Sequence, residues 1–215
     1  MYMPAHFQED RVDVLHALIR EHPLAALVTL GADGLFASHI PLEIDPEPTP
    51  FGTLRGHVAR GNPQWRDFRP ETEALAIFQG PTSYVSPSWY ATKRETGKVV
   101  PTWNYAVVHA RGPLIIHDDP AWLSALVRRL TAGQERRFAQ PWAVEDAPAE
   151  FIERQLKAIV GIEMPLARLD GKWKMSQNRT LADREGVVRN LDQLGDDESR
   201  TVAGLVRATL GDAKN

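Results

Sequence analysis

Leu24-Ala-Ala-Leu-Val-Thr-Leu-Gly-Ala-Asp-Gly-Leu-Phe-Ala-Ser-His-Ile-Pro-Leu42 reads as a complete β-hairpin. Leu24 to Leu30 is a buried strand, Gly31-Ala-Asp-Gly34 supplies the turn, and Leu35 to Leu42 returns. The strands that follow are also short and separated by turn signals. Thr53 to Ala59 and Glu73 to Phe78 read as extended, and Trp103 to Ile116 alternates, with Gly112-Pro113 marking a bulge or edge. Ile159 to Leu169 leads by Asp170-Gly171 into Lys172-Trp-Lys-Met175. Asp45-Pro-Glu-Pro-Thr-Pro50 cannot continue a strand and is a loop.

Helices punctuate this pattern. Val12, Leu15, Leu18 and Ile19 have helical spacing within Glu9 to Glu21, and His22-Pro23 stops the run. Asn62 to Phe68 reads as a short helix capped by Asn62, Asp119-Pro120 opens a helix through Leu130, and Pro148 to Ala158 forms another. The tail from Leu181 is helical and broken at Gly195-Asp-Asp197. Antiparallel strands with interspersed helices point to a closed or nearly closed barrel rather than a βαβ sheet. No glycine-rich turn of the dinucleotide or P-loop type joins a strand to a helix.

Composition narrows the function classes. A net charge of −3 disfavours non-specific duplex binding, which needs a basic excess. The absence of cysteine excludes disulfides, thiolate metal sites and a cysteine nucleophile, and fits a reducing cytoplasm. No apolar run approaches a bilayer span, and the N-terminus has no export signal, so a soluble cytoplasmic protein is expected. The histidines at 6, 16, 22, 39, 57, 109 and 117 have no metal-ligand spacing.

Four polar clusters could carry chemistry. Ser38-His39 are neighbours on a strand, so they face opposite ways and make no nucleophile–base pair. Gly56-His57 through Arg60 and Asn62 run into a helix start, where amides, a guanidinium and an imidazole can receive an anion. Ser86-Pro-Ser-Trp89-Tyr90 is answered by Pro101-Thr102-Trp103-Asn104-Tyr105, with Lys93, Arg94 and Lys98 between. Five of seventeen aromatic residues fall between Tyr84 and Tyr105, and rings interleaved with hydroxyls, amides and cations suit a flat anionic ligand. Trp173-Lys-Met-Ser176-Gln177-Asn178-Arg179 reads as a further wall of the same site.

These segments resemble the PaiB-type FMN-binding proteins, often labelled negative transcriptional regulators. The resemblance is carried by Met1-Tyr-Met-Pro-Ala-His-Phe7, Ser38-His-Ile-Pro-Leu42, Gly56-His-Val-Ala-Arg-Gly-Asn62, Tyr84-Val-Ser-Pro-Ser-Trp-Tyr90, Val100-Pro-Thr-Trp-Asn-Tyr105 with His109, and Lys174-Met-Ser-Gln-Asn-Arg179. It implies a mainly β fold with α additions: a six-stranded antiparallel Greek-key split barrel over residues 1–178, with a C-terminal helical extension at 179–215. It also implies a homodimer holding FMN at the subunit interface. On that reading the ring lies near Ser38, His39, Gly56, His57 and Thr102 to Asn104. The phosphate lies nearer Arg60, Asn62, Lys93 or Ser176 to Arg179, with Ser86, Trp89 and Tyr90 completing the cofactor set.

No catalytic residue is assigned. The expected role is a regulatory or sensor flavoprotein; the alternatives are an FMN-dependent reductase using a nicotinamide donor and a haem-binding barrel. Direct DNA binding follows from the family label, but charge does not support it. The tail arginines 184, 189, 200 and 207 are offset by Asp183, Glu185, Asp192, Asp196, Asp197 and Glu198.

Overall fold

The computed structural model describes residues 1–211. In chain order the elements are β1 (Gln8–Glu9), α1 (Val12–Glu21), β2 (Leu24–Gly31), β3 (Gly34–Asp45), β4 (Thr53–Ala59), β5 (Ala74–Val85), α2 (Thr92–Thr96), β6 (Thr102–Gly112), β7 (Ile115–His117), α3 (Pro120–Glu135), α4 (Ala149–Lys157), β8 (Ile159–Pro165), β9 (Arg168–Lys174), α5 (Leu181–Leu194) and α6 (Asp197–Ala208). The class is the expected one, mainly antiparallel sheet with helical additions. The described residues form nine strands rather than six, of which β1 and β7 have only two and three residues.

The chain divides into two compact units. Of the described residues, 16–78 and 109–169 form one, and 1–15, 79–108 and 170–211 the other.

In the first of these units the hairpin has the expected register, with Gly31 opposite Gly34 and Ala26 opposite His39, closed by Ala32-Asp33. Gly34 takes φ +110°, open to glycine and strained for other residues. β2 alternates as a half-buried strand should, with Ala25, Leu27 and Thr29 turned inward. β3 continues to β4, and β4 to β8, through antiparallel ladders that bury Leu42, Ile44, Leu54, Val58, Val160 and Ile162. Each such side chain contributes roughly 1.5–3 kcal/mol when fully buried. Asn62 caps a 3-10 turn at Pro63–Trp65, and Gln64 of that turn donates to the Leu27 carbonyl at 3.0 Å, tying the turn to β2.

In the other unit the strands run in the order β1, β9, β6, β5. Gly195 at φ +75° ends α5 as the sequence indicates, and Asp196 caps α6. Val187, Leu191, Val202 and Val206 fill the seam between the two helices. Gly186 lets α5 approach the 3-10 turn at Pro87–Trp89, because a Cβ there would collide with the Trp89 carbonyl.

Four boundaries differ from the sequence reading. Gln8 and Glu9 pair with β9 instead of starting α1. β5 runs past Phe78 through Gly80-Pro81, where the neighbouring Thr82 amide bonds the Glu198 carboxylate at 3.1 Å. A proline is tolerated where ladder pairing is interrupted. Gly112-Pro113 splits the expected Trp103–Ile116 strand, and only the second piece, β7, pairs with β8. Asp170-Gly171 lies inside β9, where Gly171 is required by the close approach of Leu15 and the Glu9 carbonyl; the break falls at Leu166-Ala167 instead.

Candidate functional site

β9 brings the fourth cluster to the third. Its last residue, Lys174, extends its ammonium to the Thr102 hydroxyl and to the Trp103 carbonyl at 2.5 Å, both on β6. Beyond it the chain turns sharply at Ser176, which has φ +63° and is the only described residue besides glycine at positive φ. That conformation costs an L-residue roughly 1–2 kcal/mol. It is held by Asn104, which is 0% exposed and exchanges two hydrogen bonds with the Ser176 hydroxyl, at 3.0 and 3.1 Å.

Thr102, Asn104, Lys174, Ser176, Asn178 and Arg179, with Tyr90, enclose a pocket of about 40 Å³. That is close to the ~30 Å³ share of one water in the liquid, so the pocket admits one small group and no ring system. The Arg179 guanidinium lies 4.8 Å from the centre of the Tyr90 ring. Tyr90 is fully buried, and burial raises its phenol; the Arg179 charge opposes that rise and the Asp183 carboxylate adds to it. Asp183 is itself engaged by the Thr92 amide and hydroxyl at 2.9 and 2.8 Å.

The pocket is electrostatically unbalanced. Burial lowers the Lys174 ammonium below its ordinary value, and the charges of Lys172 and Arg179 lower it further. Lys172 is buried, donates to the Tyr2 carbonyl at 3.1 Å and stands 5.6 and 5.5 Å from the Tyr2 and Tyr105 rings. Among the described residues none of these three cations is paired with a carboxylate. Like charges gathered without counter-charge favour a bound anion.

Other expected site residues have different surroundings. Gln177 clips its own turn, accepting from the Met175 amide at 2.7 Å and donating to the Trp173 carbonyl at 2.6 Å. Ser86 caps the Pro87–Trp89 turn, Trp89 is half-buried beside it, and Lys93 is exposed on α2. Trp103 and Tyr84, 55% and 45% exposed, meet edge to face at 5.9 Å.

In the unit built on β2 to β4, Asn62 donates to the Ser38 hydroxyl at 2.9 Å, and His39 is exposed. Gly56 is a packing glycine, since a Cβ there would strike Leu42 and the Pro41 carbonyl. His57 lines a cavity of about 690 Å³ with Leu42, Ile44, Leu130 and Trp142, and burial lowers its imidazole below the usual 6.5. The Arg60 guanidinium is held by both Asp118 oxygens and by the Lys157 and Ile159 carbonyls, which occupies the donors an incoming phosphate would use.

Lys172 lay outside the expected clusters, and Lys174, inside the fourth, was not assigned to the cofactor set. Their signal was present in sequence: two lysines flanking a tryptophan at strand period, just before Met175.

Comparison with known proteins gives the family and the fold. Residues 1–168 match the family described as "Putative FMN-binding domain". An uncharacterized protein of Emericella nidulans is 36% identical, covering 96% of both chains. The Bacillus subtilis "Protease synthase and sporulation protein PAI 2" is 29% identical, covering 98% of both. Among solved structures, the flavocytochrome Anf3 from Azotobacter vinelandii superposes with a TM-score of 0.57 at 12% identity, over 83% of this chain and 73% of that one. The FAD and heme binding protein from Mycobacterium smegmatis gives 0.52 at 16%, over 78% and 73%. Identities this low speak to the fold, which is the flavin-binding split barrel. By its family match and its full-length relatives, the chain belongs to the PaiB-type FMN-binding family.

Proposed function

We propose that the chain is a regulatory or sensor flavoprotein that holds FMN by its phosphate at Lys174 and Arg179, with Thr102 and the Asn104–Ser176 pair completing the cradle. The observation carrying this reading is that two cations without a carboxylate partner, Lys174 and Arg179, line a pocket sized for a small anionic group, with the charge of Lys172 close behind. The donor types fit the ligand: ammonium, guanidinium, hydroxyl and amide are what a phosphate dianion takes. Bound FMN supplies one- or two-electron transfer, and the protein supplies position and electrostatics.

The pocket is too small for the isoalloxazine, so the ring lies outside it and needs cover. We assign that cover to a second copy of the chain, as in the homodimer the family implies. The exposed Trp103 and Tyr84 are the apolar surface such a partner would use.

Direct DNA contact by the tail is not part of the proposal. Arg207 pairs with Asp192 and Arg200 with Asp197, each at 2.8 Å, and Arg184 is buried. No described helix is long and apolar enough to cross a membrane, which accords with a cytoplasmic site of action.

Purified protein given excess FMN is expected to acquire a perturbed flavin spectrum and a higher melting temperature, and neither change would occur if the reading is wrong. Anaerobic NADH or NADPH should then leave the flavin oxidised. Bleaching at a useful rate would replace the regulatory reading with a reductase.

A further inference from the structure

The segment after β9 has two faces, and each lines a different cavity. Lys174, Ser176 and Asn178 border the small pocket, whereas Trp173, Met175 and Gln177 border a second cavity of about 560 Å³. Trp173 and Lys174 face opposite ways as successive strand residues do, and the turn at Ser176 keeps Met175 and Gln177 on one side and Ser176 and Asn178 on the other.

The second cavity contains a buried charge. Arg184, on α5, is 8% exposed and lines it. One terminal nitrogen donates to the carbonyl and hydroxyl of Thr209, beyond the C-terminal end of α6. Its Nε is buried with no acceptor, and among the described residues no carboxylate pairs with the guanidinium. Capping a helix end accounts for the Thr209 contacts and leaves most of the charge uncompensated. A buried cation without a counter-charge is costly. Among the described residues the one carboxylate at the cavity, Glu9, is bonded by Arg11 at 2.9 and 2.6 Å.

We infer that this cavity is a binding site for a small oxyanion, a carboxylate or phosphate on a compact molecule, with Arg184 as its counter-charge, His6 at its border and Trp173 as its apolar wall. The volume falls within the range of small-molecule sites, and the mix of two guanidiniums, Arg184 and the Glu9-bound Arg11, with polar donors and an aromatic wall is what orients such a ligand. The site is separate from the proposed FMN cradle and does not rest on it. It also gives a role to His6, within the Met1–Phe7 motif that the cradle leaves unused.

The test is calorimetric titration of the full-length protein with inorganic phosphate and, separately, with benzoate, at constant ionic strength held with sodium chloride. Two phosphate sites per chain are expected in the parent, because the Lys174 pocket takes phosphate too, and one in Lys174→Met; benzoate, whose ring that pocket excludes, should show the same single site in both. Arg184→Met and His6→Asp should each weaken the site that survives Lys174→Met at least tenfold for the better probe. His6 is exposed, so His6→Asp stays informative if Arg184→Met fails to fold. No heat with either probe in Lys174→Met, or undiminished binding at this site in His6→Asp, would overturn the assignment, the first by moving the anion to the other pocket.

Discussion

Ser176 holds a strained backbone for the sake of one buried partner, and three variants separate the strain from the bond. Ser176→Ala keeps φ near +63° and removes both hydrogen bonds to Asn104, whose amide is 0% exposed. A buried polar group left unpaired costs about 1–3 kcal/mol, so this variant should lose about 2 kcal/mol. Ser176→Gly suffers the same orphaning but relieves the left-handed strain, roughly 1–2 kcal/mol, against an unfolded-state entropy penalty of roughly 0.4–1. It should therefore be about 0.5–1 kcal/mol more stable than Ser176→Ala and still less stable than the parent. Asn104→Ala should resemble Ser176→Ala, and combining the two should cost much less than their sum, because they remove one interaction. Urea unfolding with slopes compared across the set is the assay. If Ser176→Ala matches the parent, or Ser176→Gly exceeds it, the pair does not hold the turn and the pocket owes its shape to something else.

Other outcomes follow from single contacts. Gly186→Ala would press a Cβ into the Trp89 carbonyl, moving α5 or the turn at a cost of about 1–3 kcal/mol, measurable by the same unfolding assay. His57 is held neutral by burial with its pKa below 6.5, so between the two values the unfolded chain binds more protons and stability falls as pH drops through that window. His57→Leu should flatten that part of a melting-temperature profile. Lys174 also has its pKa lowered, from 10.5, by burial first; without ligand the fold therefore gains stability as pH rises from that lowered value towards 10.5. Lys174→Met should abolish the slope and leave the FMN-free protein no less stable.

The sequence was most informative where structure is local. The Leu24–Leu42 hairpin, the Asn62 cap and the Gly195 break are each decided by a few adjacent residues, and each is found where those residues place it. It misled where a distant group overrides a local signal. The strand expected over Glu73 to Phe78 continues to Val85 past Gly80-Pro81, and Glu198 takes the neighbouring amide. Asp170-Gly171 reads as a turn, but the glycine answers to Leu15 packed against β9. Arg60 reads as a free cation because Asp118, 58 positions away, cannot be paired with it by inspection. The gathering of Thr102, Asn104, Ser176, Asn178 and Arg179 was legible as motifs in order along the chain. The positive φ of Ser176, the self-clipping of Gln177 and the uncompensated Arg184 were not, since each is a property of three-dimensional surroundings.

The central claim is that the flavin is held by its phosphate at the Lys174–Arg179 pocket. Parallel titrations with FMN and with riboflavin, which lacks the phosphate, test it most directly, followed by flavin fluorescence in the parent and in Lys174→Met. Charge-assisted contacts of this kind are worth about 1.5–3 kcal/mol each, so the parent should prefer FMN by at least about tenfold, and Lys174→Met should lose most of that preference. Equal binding of FMN and riboflavin by the parent, or an undiminished preference in Lys174→Met, would contradict the account.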